Sequence, residues 1–170
     1  MIIRPAGTKD LAALAAFARR TYADAFGHSF SPEDLAAHLQ GELADGCFHQ
    51  ALAEDVFLLA QSQRRLIGFV QFGPVRIPAV AAGPEDRELR RIYVLAEFQN
   101  QGTGRRLMDA ALGHPALQAA RDIYLDVWEK NDKARRLYER YGFTVIGAHG
   151  LATASGIAHD QDLIMVRRQP

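Results

Sequence analysis

The sequence predicts an α/β fold built on a mixed sheet, and three observations carry that prediction. Hydrophobic residues make up 48% of the 170 residues, enough for one core of ordinary domain size. Runs rich in β-branched and aromatic residues are interspersed with amphipathic helical runs. In the second half they follow one another as strand, helix, strand, the order that builds a mixed or parallel sheet. No repeat, low-complexity tract or linker interrupts the chain, so residues 1–170 read as a single domain.

The opening "MIIRPA" is a short strand. Leu11, Leu14, Ala15, Ala18, Tyr22 and Ala25 then recur at helical spacing, behind Thr8 or Asp10 as the N-cap. Ser31 caps a second helix, with Pro32 at its first position and Glu33 and Asp34 in its first turn. Strands over 56–61 and 65–75 are joined by the polar Ser62-Gln63-Arg64, a hairpin. Pro74, Pro78, Gly83 and Pro84 mark a long loop before a strand over 88–95. A helix opening near Gly102, a strand over 123–127 and a helix over 131–141 follow, and strands near 143–148 and 162–167 close the fold.

Composition narrows the function. Twenty basic residues balance twenty acidic ones, which argues against broad electrostatic binding to nucleic acid. Cys47 is alone, so neither an intramolecular disulfide nor a thiolate metal cluster can form, and it reads as a small buried side chain. The six histidines show no metal-binding spacing, and no metal is expected. No segment approaches the ~20 apolar residues of a membrane span, and the N-terminus lacks a signal-like apolar core. The expectation is a soluble cytoplasmic protein with no membrane partner, monomeric or homodimeric.

The most informative stretch is "FQNQGTGRRLMDAAL", which opens a helix on Gly102-Thr103-Gly104. Glycine is a poor helix former, so its place there needs a reason. A helix N-terminus carries free N–H groups and about half a positive charge, and glycine lets an anion approach the backbone. Arg105 and Arg106 add charge at the same end. A Walker loop requires Gly-Lys-Ser/Thr, which is missing, and a dinucleotide fingerprint requires glycine where Leu107 stands. Two glycines alone are equally compatible with an ordinary loop.

The longer run "RIYVLAEFQNQGTGRRLM" resembles the acetyl-coenzyme A signature of the GCN5-related N-acetyltransferases (GNAT). The motif Gln/Arg-x-x-Gly-x-Gly/Ala is complete in Gln99, Asn100, Gln101, Gly102, Thr103 and Gly104. A second segment, Asn131, Ala134, Tyr138, Gly142 and Phe143, matches the later cofactor segment of the same family. "DVWEKNDKA…YGF…GAH…DLIM" is similar to the bacterial PaiA-like spermidine/spermine acetyltransferases. The segment "GLATASGIAHDQ" departs from that pattern, with no aromatic after His149. General family resemblance spans nearly the whole chain and is most specific over 90–143.

The resemblance implies a mostly antiparallel sheet of six or seven strands flanked by helices, with a cofactor cleft between the strands at 88–95 and 123–127. It implies acetyl-CoA as cosubstrate, bound by the Gln99–Gly104 backbone with Arg105 and Asn131, and by the strand at Ile92, Tyr93 and Val94. An N–H near Ile92 or Tyr93 would polarise the thioester carbonyl. Tyr138 would protonate the departing thiolate, and Glu88 would take the amine proton. Asn131 and Tyr138 also have plain readings, as a helix cap and a packing side chain. The implied reaction is direct acetyl transfer in a ternary complex to a primary amine, a polyamine first. A protein or peptide amine, a non-catalytic acyl-CoA module and a nucleotide-binding protein stand as alternatives.

Overall fold

The computed structural model describes residues 1–41, 43–150 and 160–169. The strands are β1 (Ile2–Pro5), β2 (Val56–Ser62), β3 (Arg65–Gly73), β4 (Arg87–Val94), β5 (Asp122–Trp128), β6 (Thr144–Gly150) and β7 (Gln161–Arg168). The helices are α1 (Leu11–Phe26), α2 (Pro32–Gln40), α3 (Asp45–Glu54), α4 (Thr103–Leu112), α5 (Pro115–Gln118) and α6 (Asp132–Arg140). The strands hydrogen-bond in the order β1-β2-β3-β4-β5-β7-β6. The β1–β2, β5–β7 and β6–β7 pairs are antiparallel, and β4–β5 is parallel. Contacts divide the chain into two units, Met1–Gln71 with Arg91–Ala111, and Phe72–Arg90 with Leu112–Pro170.

The first unit is built on an apolar cluster. Leu14, Ala15, Phe17 and Ala18 of α1 meet Phe48 and Ala51 of α3, Phe57 and Leu59 of β2, and Phe69 of β3. Each large side chain buried there stabilises by about 1.5–3 kcal/mol before entropy is counted. Ala25, expected on the apolar face of α1, is exposed, because the packed stripe ends at Thr21 and Tyr22. Asp10 sits at the N-cap of α1 without capping it. Its carboxylate instead accepts from Arg4 and from the Gly7 N–H, and the Arg4 bonds hold it down at about 2. At the β2–β3 hairpin, Gln63 and Arg64 take φ of 49° and 66°, the paired positive angles of a primed turn.

Helix α3 escapes the sequence pattern because only Phe48 and Ala51 of its ten residues are buried. Cys47 lies off that stripe and is exposed, its thiol against the Gly41 carbonyl at 3.2 Å, so the expectation of a buried cysteine is corrected. Ser31 caps α2 as expected, accepting from the Asp34 N–H.

In the second unit β5 alternates cleanly. Ile123, Leu125 and Val127 are buried, while Tyr124, Asp126 and Trp128 point to the other face half-buried. Asp86, 1% exposed, ties the approach to β4 by accepting from the Gly83 N–H and from Arg121, each at 2.7 Å. Helix α6 ends at Gly142 with φ +83°. Gly142 N–H donates to Glu139 and Phe143 N–H to Tyr138, the paired bonds of a Schellman motif.

Candidate active site

The loop between β4 and α4 is built by its backbone. After Val94 a 3-10 turn spans Ala96–Phe98, and Gln99 returns to extended geometry. Asn100 and Gly102 then take φ of 59° and 82°. This left-handed pair turns the chain into α4, where the Gly102 carbonyl accepts from the Arg106 N–H. The N–H groups of Thr103 and Gly104, in the first turn, have no carbonyl one turn earlier within the helix. Nothing lies within 4 Å of where a Gly102 Cβ would stand, so space above the turn is open. The geometry fits an anion cradle.

Side chains brace that turn from below. Gln99 Nε2 donates to the Val94 carbonyl at 3.0 Å, and Gln101 Nε2 to the Glu97 carbonyl at 2.6 Å. Glu97 pairs with Arg65, which also lies over the Phe98 ring. Leu107, Met108 and Ala111 are fully buried, fixing the helix, while Arg105 is exposed with Asp109 3.9 Å away. Gly68 of β3 makes the packing possible: a Cβ there would lie 2.8 Å from the Tyr93 carbonyl oxygen and 3.2 Å from Leu107. Sequence reasoning missed Gly68, since nothing local marks a mid-strand glycine as a point of close approach.

Ile92, Tyr93 and Val94 are half-buried on β4. Tyr93 packs edge-on against Phe69 at 5.3 Å. Among the described residues the parallel β4–β5 register covers two positions, Arg87 with Ile123 and Glu88 with Tyr124.

Three sequence-predicted residues fall in the second unit. Tyr138 is 7% exposed and meets Phe143 edge-on at 6.0 Å, so its ring closes the Schellman end. Asn131 caps α6, its side chain accepting from the Ala134 N–H at 3.2 Å. Glu88 is 4% exposed. One of its oxygens accepts the Arg76 N–H at 2.6 Å and the other accepts Arg90 at 2.9 Å.

The structure also assembles a group that no sequence spacing announces. Asp126 on β5, His149 on β6 and Asp162 on β7 present ligating atoms within 4.8 Å of one another. His149 Nε2 lies 3.3 Å from Asp126 Oδ2. Burial, with Asp126 next, pushes the Asp162 carboxyl up to about 6. Of the other histidines, His38 stacks on Tyr22, His114 caps α5, and His159 lies outside the described residues, as does the departing segment 151–159.

Strand, left-handed turn and glycine-opened helix define an acyl-CoA acetyltransferase scaffold, and known proteins agree. The family described as Acetyltransferase (GNAT) matches residues 14–143, and the chain belongs to it. An uncharacterized N-acetyltransferase of Mycobacterium tuberculosis is 28% identical over 160 residues, covering 93% of this chain and 97% of that one. A spermine/spermidine N(1)-acetyltransferase of Bacillus subtilis is 37% identical over 60 residues, 35% of this chain and 40% of that one. The crystal structure of PaiA N-acetyltransferase from Thermoplasma acidophilum, in complex with coenzyme A, superposes with a TM-score of 0.75. That pair is 19% identical and covers 99% and 98% of the two chains. The chain is an acetyl-CoA-dependent N-acetyltransferase. No helix among the described residues is long and apolar enough to cross a membrane.

Proposed function

We propose that the protein transfers acetyl from acetyl-CoA to a primary amine of a small polyamine such as spermidine or spermine. The observation that carries the cosubstrate half is the left-handed turn at Asn100 and Gly102 feeding straight into α4. The acceptor half is supported by the 60-residue similarity to the spermine/spermidine enzyme and by the PaiA-like segments of β5, α6 and β7.

Acetyl-CoA supplies a thioester acyl group whose thiolate must leave. The backbone from Gln99 to Gly104, with Arg105, holds its phosphates, and Asn131 adds a contact through its capped helix start. The β4 backbone at Ile92, Tyr93 and Val94 orients the acyl arm and places a donor at the carbonyl, where developing charge is stabilised most. Tyr138 donates its phenolic proton toward the sulfur as the C–S bond breaks; a phenol near ~10 against a thiol near ~8.5 makes the full transfer slightly uphill, and the phenolate regains its proton from solvent.

An alkylamine with a pKa near ~10.4 arrives charged, so a base must take its proton first. Glu88 fills that role in this reading. Its carboxylate oxygens accept from the Arg76 N–H and from Arg90, which hold it in place at the start of β4. Glu88→Gln is expected to depress the rate most near neutral pH and to recover in part as the amine deprotonates. A loss of equal size at every pH assigns Glu88 to structure.

The deciding assay offers spermidine, spermine, a lysine peptide and an aminoglycoside at equal concentration with acetyl-CoA, read by thiol release and product mass. A kcat/KM for the peptide or the aminoglycoside well above both polyamines overturns the acceptor.

A further inference from the structure

The face of the second unit formed by β5, β7 and β6 carries two features side by side. One is a cavity of about 310 Å³ lined by Tyr124, Ile164, Gly147 and the loop residues Ala79, Val80 and Ala81. The other is the Asp126–His149–Asp162 group. Their relation follows from register. Asp126 stands opposite Ile164, Trp128 opposite Asp162, Gly147 opposite Ile164, and His149 opposite Asp162. Each group residue is therefore two positions along its strand from a cavity residue and on the same face, about 7 Å away.

A β-bulge creates this alignment. The β6–β7 register shifts between Val145 and Gly147, so Ile146 is the extra residue. Without that shift Ala148 would oppose Asp162, and His149 would turn to the other face. Bulges re-aim side chains beside functional sites, and this one re-aims an imidazole onto two carboxylates.

The group is short of positive charge. Among the described residues, no Arg or Lys forms an ion pair with Asp126 or Asp162, and the nearby Lys130 is taken by Asp160. The charged neighbours of Asp162 are Asp126, His149 and Glu129. In the tautomer that carries its proton on Nε2, His149 donates to Asp126 Oδ2 across the 3.3 Å contact and orients that carboxyl group.

We infer that Asp126 and Asp162, with Asp126 oriented by His149, form a subsite for a second ammonium of the acceptor, and that the adjoining cavity takes its methylene chain. The inference rests on the amine-acetyltransferase reading and names where a linear polyamine is recognised. A tetrahedral ammonium with bonds of ~2.8 Å separates its acceptors by ~4.6 Å, which the 4.8 Å limit on the group's atoms admits. An ion bound at ~2.1 Å needs its ligands ~3.4 Å apart, which the 3.3 Å His149–Asp126 contact also meets, so binding of spermidine against zinc decides between them.

The test compares spermidine with n-butylamine, which has a chain but no second charge. The ratio of their kcat/KM values is expected to fall about tenfold in Asp126→Asn and in Asp162→Asn, the loss of one charge-assisted bond, and to recover partly in Asp162→Glu. Gly147→Leu has open space at its Cβ and fills the slot, so it is expected to weaken both amines while the protein melts as wild type. Should one Asn variant not fold, the other Asn variant and Asp162→Glu carry the ratio test, while Gly147→Leu tests the slot by its equal loss with both amines.

Calorimetric titration of spermidine into the coenzyme A-loaded protein separates this inference from the acceptor assignment. Binding that the Asn variants lose supports the subsite even if no polyamine is acetylated. Polyamine acetylation with an unchanged ratio in every variant overturns the subsite and leaves the acceptor standing. Stoichiometric zinc binding lost in the same variants, without a spermidine response, overturns it in favour of a metal site.

Discussion

The glycine loop of the first unit and the carboxylate group of the second are built by opposite means. The loop is a main-chain feature, a left-handed turn running into a helix start, so six consecutive residues, Gln99 to Gly104, contain it. The group works through three side chains from three strands, and its alignment depends on one extra residue at Ile146. The first design is suited to a ligand part that never varies, the phosphates of a cosubstrate. The second can change by single substitutions, which suits the part of a reaction that differs among relatives.

The largest expected effect tests a residue that belongs to neither. Tyr138→Phe keeps the ring that closes α6 against Phe143 and removes only the phenolic proton. If Tyr138 is the acid, turnover falls by about 10²–10⁴-fold with cofactor binding little changed. Unchanged single-turnover chemistry would return Tyr138 to packing alone.

Gly104→Val attacks the backbone design directly. Coenzyme A at 100 times its dissociation constant is expected to stabilise the wild type by about 2.7 kcal/mol. The variant should lose most of that gain while its unliganded melt stays close to wild type, because valine tolerates a helix better than glycine does. A full stabilisation retained in Gly104→Val would break the comparison at its first half.

These two regions also mark what was legible in the sequence. Strands, α1, α2, α4 and α6 follow from periodicity, the hairpin from its polar turn, and the α6 terminus from Gly142 followed by Phe143. The turn into α4 was readable because helix start, glycines and strand are contiguous. α3 was not, since two buried residues make too thin a stripe, and Cys47 was misplaced with it. Asp126 and Asp162 were visible as acids, and His149 as a residue after a strand. Only register joins them, and a bulge cannot be counted from a single sequence.

Gly68 lies between the two kinds of signal, a backbone requirement set by tertiary contact. Gly68→Ala would force its new methyl group against the Tyr93 carbonyl, backbone that cannot swing aside. A cost of about 1–3 kcal/mol in urea unfolding is expected, together with weaker coenzyme A binding as β4 shifts at Tyr93. Loss of stability with cofactor affinity intact would show that the strand's position there is not part of the cradle.

The smallest effect is the sharpest for the second region, because its sign runs against ordinary mutational damage. The Asp162 carboxyl is raised to about 6 in the fold, by burial first and then by Asp126. An unfolded aspartate titrates near ~3.9. The protonated form therefore favours the fold, so this group's contribution is fully present below ~3.9 and is lost as pH rises through about 6. Above that window the native state holds an ionised carboxylate at a cost, and Asp162→Asn removes it. The variant should be more stable than wild type by about 1 kcal/mol at pH 8, after discounting for solvent screening, and should lose that advantage by pH 4. A residue kept for packing has no reason to carry such a cost, whereas one kept to receive a cation does, since the ligand relieves the repulsion that destabilises the empty site. Thermal melts of both proteins across pH 4–8, with and without spermidine, read this out. Spermidine should erase the difference at pH 8 by stabilising the wild type selectively. An Asn variant that is less stable at every pH would make Asp162 a structural residue.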